Sequence, residues 1–161
     1  MRLGRWKWTL LIFGVILADQ IVKIIVADSL SQVDSVTFIP HILSFIYVKN
    51  TGAAFSILSG KTGILGAVSI LFCVVVGAYW LIKKPQSNML RLSLSLLLAG
   101  AFGNAVDRVV RGFVVDFIEL EFIKFPVFNI ADIAITIGTG LLMIYLLFFD
   151  KDGREDGETD N

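Results

Sequence analysis

In and beside its apolar stretches the chain carries four carboxylates, Asp19, Asp107, Asp116 and Asp132. Near them are the cations Lys23 and Arg108 and the amides Asn50, Asn104 and Asn129. Carboxylates move protons. Two held close together push their acidities apart, so that one stays ionised as a base while the other stays protonated as an acid. The spacing supports shared faces. Asp19 and Lys23 are four residues apart, as are Asn104 and Arg108, and Asn129 and Asp132 are three apart. On a helix those intervals place side chains one above the other. Other chemistries lack material. The single cysteine, Cys73, has no partner for an internal disulfide, and the single histidine, His41, has too few companions for a metal site and reads as a loop residue. The expectation is chemistry without a metal or cofactor.

The elements that position these groups follow from composition. Of 161 residues 56% are hydrophobic and only 17% charged, against roughly 25% in a soluble domain. The mean hydropathy is +0.80. One integral membrane domain is expected. The net charge of zero offers no footprint for nucleic acid, and no obligate protein partner is evident.

About 20 apolar residues cross a bilayer as a helix. Four such spans are predicted at about 8–27, 64–82, 89–108 and 130–149. The links at 28–63 and 109–129 are the outer loops, and 150–161 reads as an acidic, solvated tail. The first span follows Arg2, Arg5 and Lys7 but has no small-x-small cleavage site, so it reads as a retained helix. Val36–Val48, rich in Phe, Ile, Val and Tyr, suits short strands or an interfacial platform in the first outer loop. The fold class is therefore all-α and membrane-embedded, with a small β-containing platform. Arg2, Arg5 and Lys7, together with Lys83, Lys84 and Arg91, mark one side as cytoplasmic. Both termini then lie inside. Trp6, Trp8, Tyr79 and Trp80 fall at that same side, as interfacial anchors do.

This topology gathers the costly groups at one depth. Asp19, Lys23, Asn104, Asp107, Arg108, Asp116, Asn129, Asp132 and Asn50 all fall at or near the outer face. Each has a structural alternative. Asp19 and Lys23 can be an ion pair that fixes helix packing. Asp107 with Arg108 can be a charge pair at a helix end among the headgroups. Asp132 suits a first helical turn, Asp116 can be an ordinary loop acid, and Glu119 and Glu121 read as ordinary. Gly100 and Gly103 suit close helix contact. Asn50-Thr51-Gly52 reads as a turn. Those alternatives do not explain a shared depth, whereas ionisable groups within spans usually mark function.

Four blocks in order carry a family resemblance: Asp19-Gln20-Ile21-Val22-Lys23, Asn50-Thr51-Gly52-Ala53-Ala54-Phe55, Gly100 to Arg108, and Val114-Val115-Asp116-Phe117 followed by Phe128-Asn129-Ile130-Ala131-Asp132. With these the chain resembles the bacterial lipoprotein signal peptidases (signal peptidase II) over nearly its whole length. One departure is Ala99, where the family often has glycine; alanine is still small. The resemblance implies an aspartic endopeptidase with Asp116 and Asp132 as its dyad. It implies a diacylglyceryl-modified prolipoprotein as substrate, cut just before the lipidated cysteine. It implies residence in the bacterial cytoplasmic membrane, in contact with bilayer lipids, with the site near the extracytoplasmic face. Asn50, Asn104, Arg108 and Asn129 match positions that bind substrate or support the site. Asp19 and Lys23 are expected to support the fold around it. Two other readings are an ion-coupled carrier and a helix-binding scaffold. The first lacks a polar path through the inner halves of the spans, and the second gives the aspartates no task.

Overall fold

The protein is described by a computed structural model covering residues 5–52 and 58–149. Arg2, the segment 53–57 with Ala53, Ala54 and Phe55, and the acidic tail lie outside the described residues.

Four helices form the body: α1 (Arg5–Ser29), α2 (Thr62–Lys83), α3 (Asn88–Val110) and α4 (Ile130–Phe148). Each is long and apolar enough to cross a membrane. At ~1.5 Å per residue, a helix of about 20 residues matches a hydrocarbon core of ~30 Å. The ends are set by local chemistry. After α2, Lys84 takes a left-handed conformation, and Pro85 cannot continue a helix. The Ser87 hydroxyl then caps α3 by accepting from the Leu90 amide. At the other end of α3, Gly112 has φ 77°, a conformation open to glycine, and turns the chain into the following strand.

α3 is the central helix. In its apolar window 67% of residues are buried, against 17% for α1 and α4 and 11% for α2. Leu10, Phe13, Leu17, Val68, Leu71, Leu146 and Leu147, on the outer helices, are exposed, as lipid-facing side chains are. Lipid is as apolar as leucine, so close packing must hold helices together. Glycines permit it. A Cβ on Gly100 would collide with the Ala131 carbonyl, and one on Gly103 would lie 2.8 Å from Asp19 Oδ2.

Beyond one end of the bundle lies a three-stranded antiparallel sheet in the order β1 (Val36–Ile39), β2 (Leu43–Asn50), β3 (Val114–Leu120). β1 and β2 form a hairpin whose turn holds exposed His41 at φ 62°. β2 pairs with β3 from Leu43↔Leu120 to Asn50↔Val114, with an irregularity between Phe45 and Val48. The third strand comes from the second link, for which the composition predicts only a loop. Successive strand residues face opposite ways. Val115 and Phe117 pack on Val26 of α1, so Val114 and Asp116 turn to the other face. The opposite end of the bundle is closed by Trp80, Leu90 and Leu94 with Trp8 and Tyr145.

Candidate active site

Asp116 and Asp132 reach one place from different elements. Phe128 pairs with the middle of β3, donating to Ile118 O at 3.1 Å while its carbonyl accepts from Phe117 N and Ile118 N. That pairing brings the next residue, Asn129, beside Asp116. Asn129 is also the N-cap of α4. Its side-chain oxygen accepts from the Asp132 amide at 2.9 Å, and its own amide donates to Asp132 Oδ2 at 3.2 Å, a reciprocal capping box. The Asn129 side-chain nitrogen donates to Asp116 Oδ1 at 2.6 Å. One residue therefore holds both carboxylates.

Two more amides complete the shell. Asn50, at the end of β2, donates to Asp116 Oδ2 at 2.8 Å. Its oxygen accepts from the Gly52 amide at 2.9 Å, so the turn read in the sequence also aims the side chain. Asn104, buried on α3, donates to Asp132 Oδ1 at 2.7 Å and accepts from Asn129 Nδ2 at 3.2 Å.

Both carboxylates line a cleft of about 540 Å³. Asn50, Asn104 and Arg108 are its other polar lining groups, apart from Thr136, and apolar walls come from Val114, Leu120, the 125–128 segment and Ile133, Ile135 and Ile137. A second groove of about 320 Å³, between Val68, Ser69 and Phe72 of α2 and Leu97 and Ala101 of α3, meets it at Asn104, Arg108, Asp132 and Ile135. Arg108 reaches across to α2 and the β2 end, donating to Ser69 Oγ at 3.5 Å and Gly52 O at 3.3 Å. Asp116 is almost wholly buried. Burial pushes its pKa up, the Asp132 charge adds to this, and the Asn50 and Asn129 hydrogen bonds and the Lys23 charge oppose it. The result is a rise from 3.8 to about 6.

Behind the cleft lies a second polar cluster. Lys23, fully buried, pairs with Asp19 Oδ2 at 2.8 Å and Asp107 Oδ2 at 2.9 Å. It also donates to Asn104 Oδ1 at 3.1 Å. Asp19 accepts from the Ala131 amide at 2.9 Å, tying α1 to the first turn of α4. The expectation that Asp107 pairs with Arg108 among headgroups is overturned. Neighbouring residues on a helix diverge, and Asp107, 0% exposed, pairs instead with Lys23 and with Arg111, four residues on. Arg111 and Gln20 were missed as members. Gln20 donates to Gly103 O at 3.1 Å and Asp107 Oδ1 at 3.2 Å, and accepts from Arg111 at 3.0 Å. The four-residue step from Asp107 to Arg111 was the available signal. Glu119 and Glu121 stand apart on and just beyond β3; the Glu121 carboxylate accepts from Ser44 of β2. Among the described residues no three His, Cys, Asp or Glu side chains are grouped to hold a metal ion.

Four membrane-length helices and an acid-lined cleft beneath a small sheet define a multi-pass membrane protein with a polar recess at one end of its bundle. The chain belongs to the signal peptidase II family: the family model for Signal peptidase (SPase) II matches residues 11–148. It is 39% identical over 146 residues to a lipoprotein signal peptidase of Clostridium acetobutylicum, covering 89% of this chain and 94% of the relative. It is 42% identical over 142 residues to that of Microcystis aeruginosa, covering 88% and 91%. The relative from Staphylococcus aureus is 41% identical over 147 residues, covering 89% of each chain. A solved bacterial membrane enzyme superposes with a TM-score of 0.84 at 36% identity, covering 96% of this chain and 94% of that one. Another gives 0.80 at 37% identity, covering 89% and 94%. The protein is thus a signal peptidase, a membrane hydrolase.

Proposed function

We propose that this protein is an aspartic endopeptidase that removes the signal peptide from diacylglyceryl-modified prolipoproteins, cutting before the lipidated cysteine with Asp116 and Asp132 as its dyad. The observation that carries this reading is the shared grip of Asn129 on both carboxylates, at 2.6 and 3.2 Å, in one cleft. Neither aspartate is within salt-bridge distance of a cation among the described residues, whereas Asp19 and Asp107 both are.

The chemistry follows from two acids in one poorly hydrated recess. Their mutual repulsion leaves one ionised and one protonated at working pH. The ionised carboxylate takes a proton from a water, whose oxygen attacks the scissile carbonyl. The protonated one donates a hydrogen bond to the carbonyl oxygen and stabilises the tetrahedral intermediate. Collapse breaks the C–N bond, and the departing amine takes a proton from the dyad. The pair titrates as a unit. Asn104 and Asn129 hold the carboxylates, and Asn50 and Arg108 face the substrate backbone. The apolar walls suit a signal helix and acyl chains arriving sideways from lipid. With the positive-inside orientation, the cleft lies near the extracytoplasmic face of the bacterial inner membrane and both termini are cytoplasmic.

The test is cleavage of a lipid-modified prolipoprotein by purified wild type, Asp116→Asn and Asp132→Asn, with folding followed by thermal unfolding in detergent. The expected result is cleavage before the lipidated cysteine by wild type and a loss of roughly 10³-fold or more in each folded variant. Near-normal cleavage by either folded variant overturns the dyad.

A further inference from the structure

Lys23 has three N–H donors and uses all three. Two go to Asp19 and Asp107, at 2.8 and 2.9 Å. An ion pair that only braced helices would be complete with those. The third goes to Asn104 Oδ1 at 3.1 Å, and that bond has a directional consequence. An asparagine amide can be turned either way, with oxygen and nitrogen exchanged. An ammonium group only donates, so the Asn104 oxygen must face Lys23. Its nitrogen then faces Asp132 Oδ1, at 2.7 Å. The same oxygen accepts from Asn129 Nδ2 at 3.2 Å, and that nitrogen also reaches Asp116 Oδ1 at 2.6 Å.

We propose that Lys23 is a positioning residue for peptide cleavage: through Asn104 its ammonium sets the direction of the amides that hold both carboxylates. The inference rests on the dyad reading above. Without that donor the Asn104 oxygen keeps only Asn129 Nδ2, at 3.2 Å and shared with Asp116, so the amide is held less firmly in the direction that faces its nitrogen to Asp132. The charge acts as well as the direction. Around Lys23 stand Asp19 on its own helix, Asp107 on α3 with Arg111 behind it, Asp132 on α4 and Asp116 on β3. Burial raises Asp116, and the Lys23 charge works against that rise. Removing the charge moves the titration of Asp116 upward.

Lys23→Met alone would leave Asp19 and Asp107 facing only Arg111. Asp19→Asn/Lys23→Met keeps the cluster neutral, and the asparagine oxygen still accepts from the Ala131 amide. The experiment measures kcat and KM against pH on a lipid-modified prolipoprotein, with unfolding in detergent as the fold check. Asp19→Asn is expected to keep the wild-type profile shape. Asp19→Asn/Lys23→Met is expected to lose roughly 10²-fold in kcat, the scale of a small misplacement of catalytic groups, with KM little changed and the bell at higher pH than that of Asp19→Asn. Asp19→Asn/Lys23→Gln restores an N–H donor without the charge and recovers part of kcat; it is also the fallback if the methionine variant does not fold. Added to Asn104→Ala, the Lys23 change costs little more, because the two act in series. The proposal is overturned if the double variant matches Asp19→Asn in kcat and profile, or if its cost multiplies in full with that of Asn104→Ala. Should the Asp116→Asn and Asp132→Asn enzymes be dead while the Lys23 double variants cut as fast as Asp19→Asn, positioning fails and the dyad stands. Should the aspartate variants cut normally, the dyad falls and this inference falls with it.

Discussion

Two pairs of aspartates lie side by side at one end of the bundle, and they are held in opposite ways. Asp19 and Asp107 face Lys23, and Asp107 also faces Arg111; both are sealed from the cleft. Asp116 and Asp132 face amides and line the cleft. A cation fixes a buried carboxylate in its ionised form, and removing one partner strands a charge. An amide orients a carboxylate while leaving it free to exchange a proton. On the dyad reading the same residue type thus serves as a joint in one pair and as a reagent in the other, and the partner decides which.

That division can be broken by experiment. The largest expected effect on the first pair is on folding. Asp107→Asn leaves Lys23 and Arg111 short of a counter-charge in a buried setting, with a loss on the order of 3–5 kcal/mol, read as a drop in the unfolding midpoint in detergent. An Asp107→Asn protein that melts like wild type yet cannot cut would place Asp107 among the reagents. The second effect separates the pairs by pH. Asp116 sits at about 6 in the folded protein against an ordinary 3.8. Between those values the folded state binds the proton more tightly than the unfolded chain, so stability falls as pH rises through the window. The cost is absent below about pH 4 and complete above about pH 6, where it reaches roughly 3 kcal/mol. Wild type should therefore lose stability relative to Asp116→Asn as pH rises from 4 to 6. Parallel curves would deny Asp116 its special setting. The smallest effect belongs to an acid outside both pairs. Glu119→Gln should change stability by less than about 0.5 kcal/mol and leave cleavage within about twofold, and a larger loss of activity would show that the recess extends along β3.

The helices were legible because a run of apolar residues long enough to cross lipid has few other readings. β1 and β2 were legible as a platform from the Phe, Ile, Val and Tyr between Val36 and Val48. β3 was not, because its pairing partner is remote: Leu43 meets Leu120 across two intervening spans, and no local pattern records that. Shared depth and the quoted blocks drew attention to Asp116, Asp132 and the three asparagines, and the structure places all five together. Asp107 was misread for a simple reason. Its sequence neighbour is Arg108, but adjacent helical side chains point apart, and its main partner comes from α1. Gln20 was passed over as a neutral residue in a span, although its amide spans α1 and α3.

The sheet has a consequence for how the protein is made. β2 belongs to the link between α1 and α2, and β3 to the link between α3 and α4. A nascent chain that has threaded three helices already owns Asp19, Lys23, Asn104 and Asp107, yet it has neither the strand that carries Asp116 nor the cap that carries Asp132. In that half-built state it is a shape without a reagent. On the dyad reading, the power to cut arrives last, as the fourth helix seats and Phe128 pairs with β3. Completion of the membrane fold and onset of proteolysis are then a single event, and unfinished copies in the bilayer are harmless to the precursors around them.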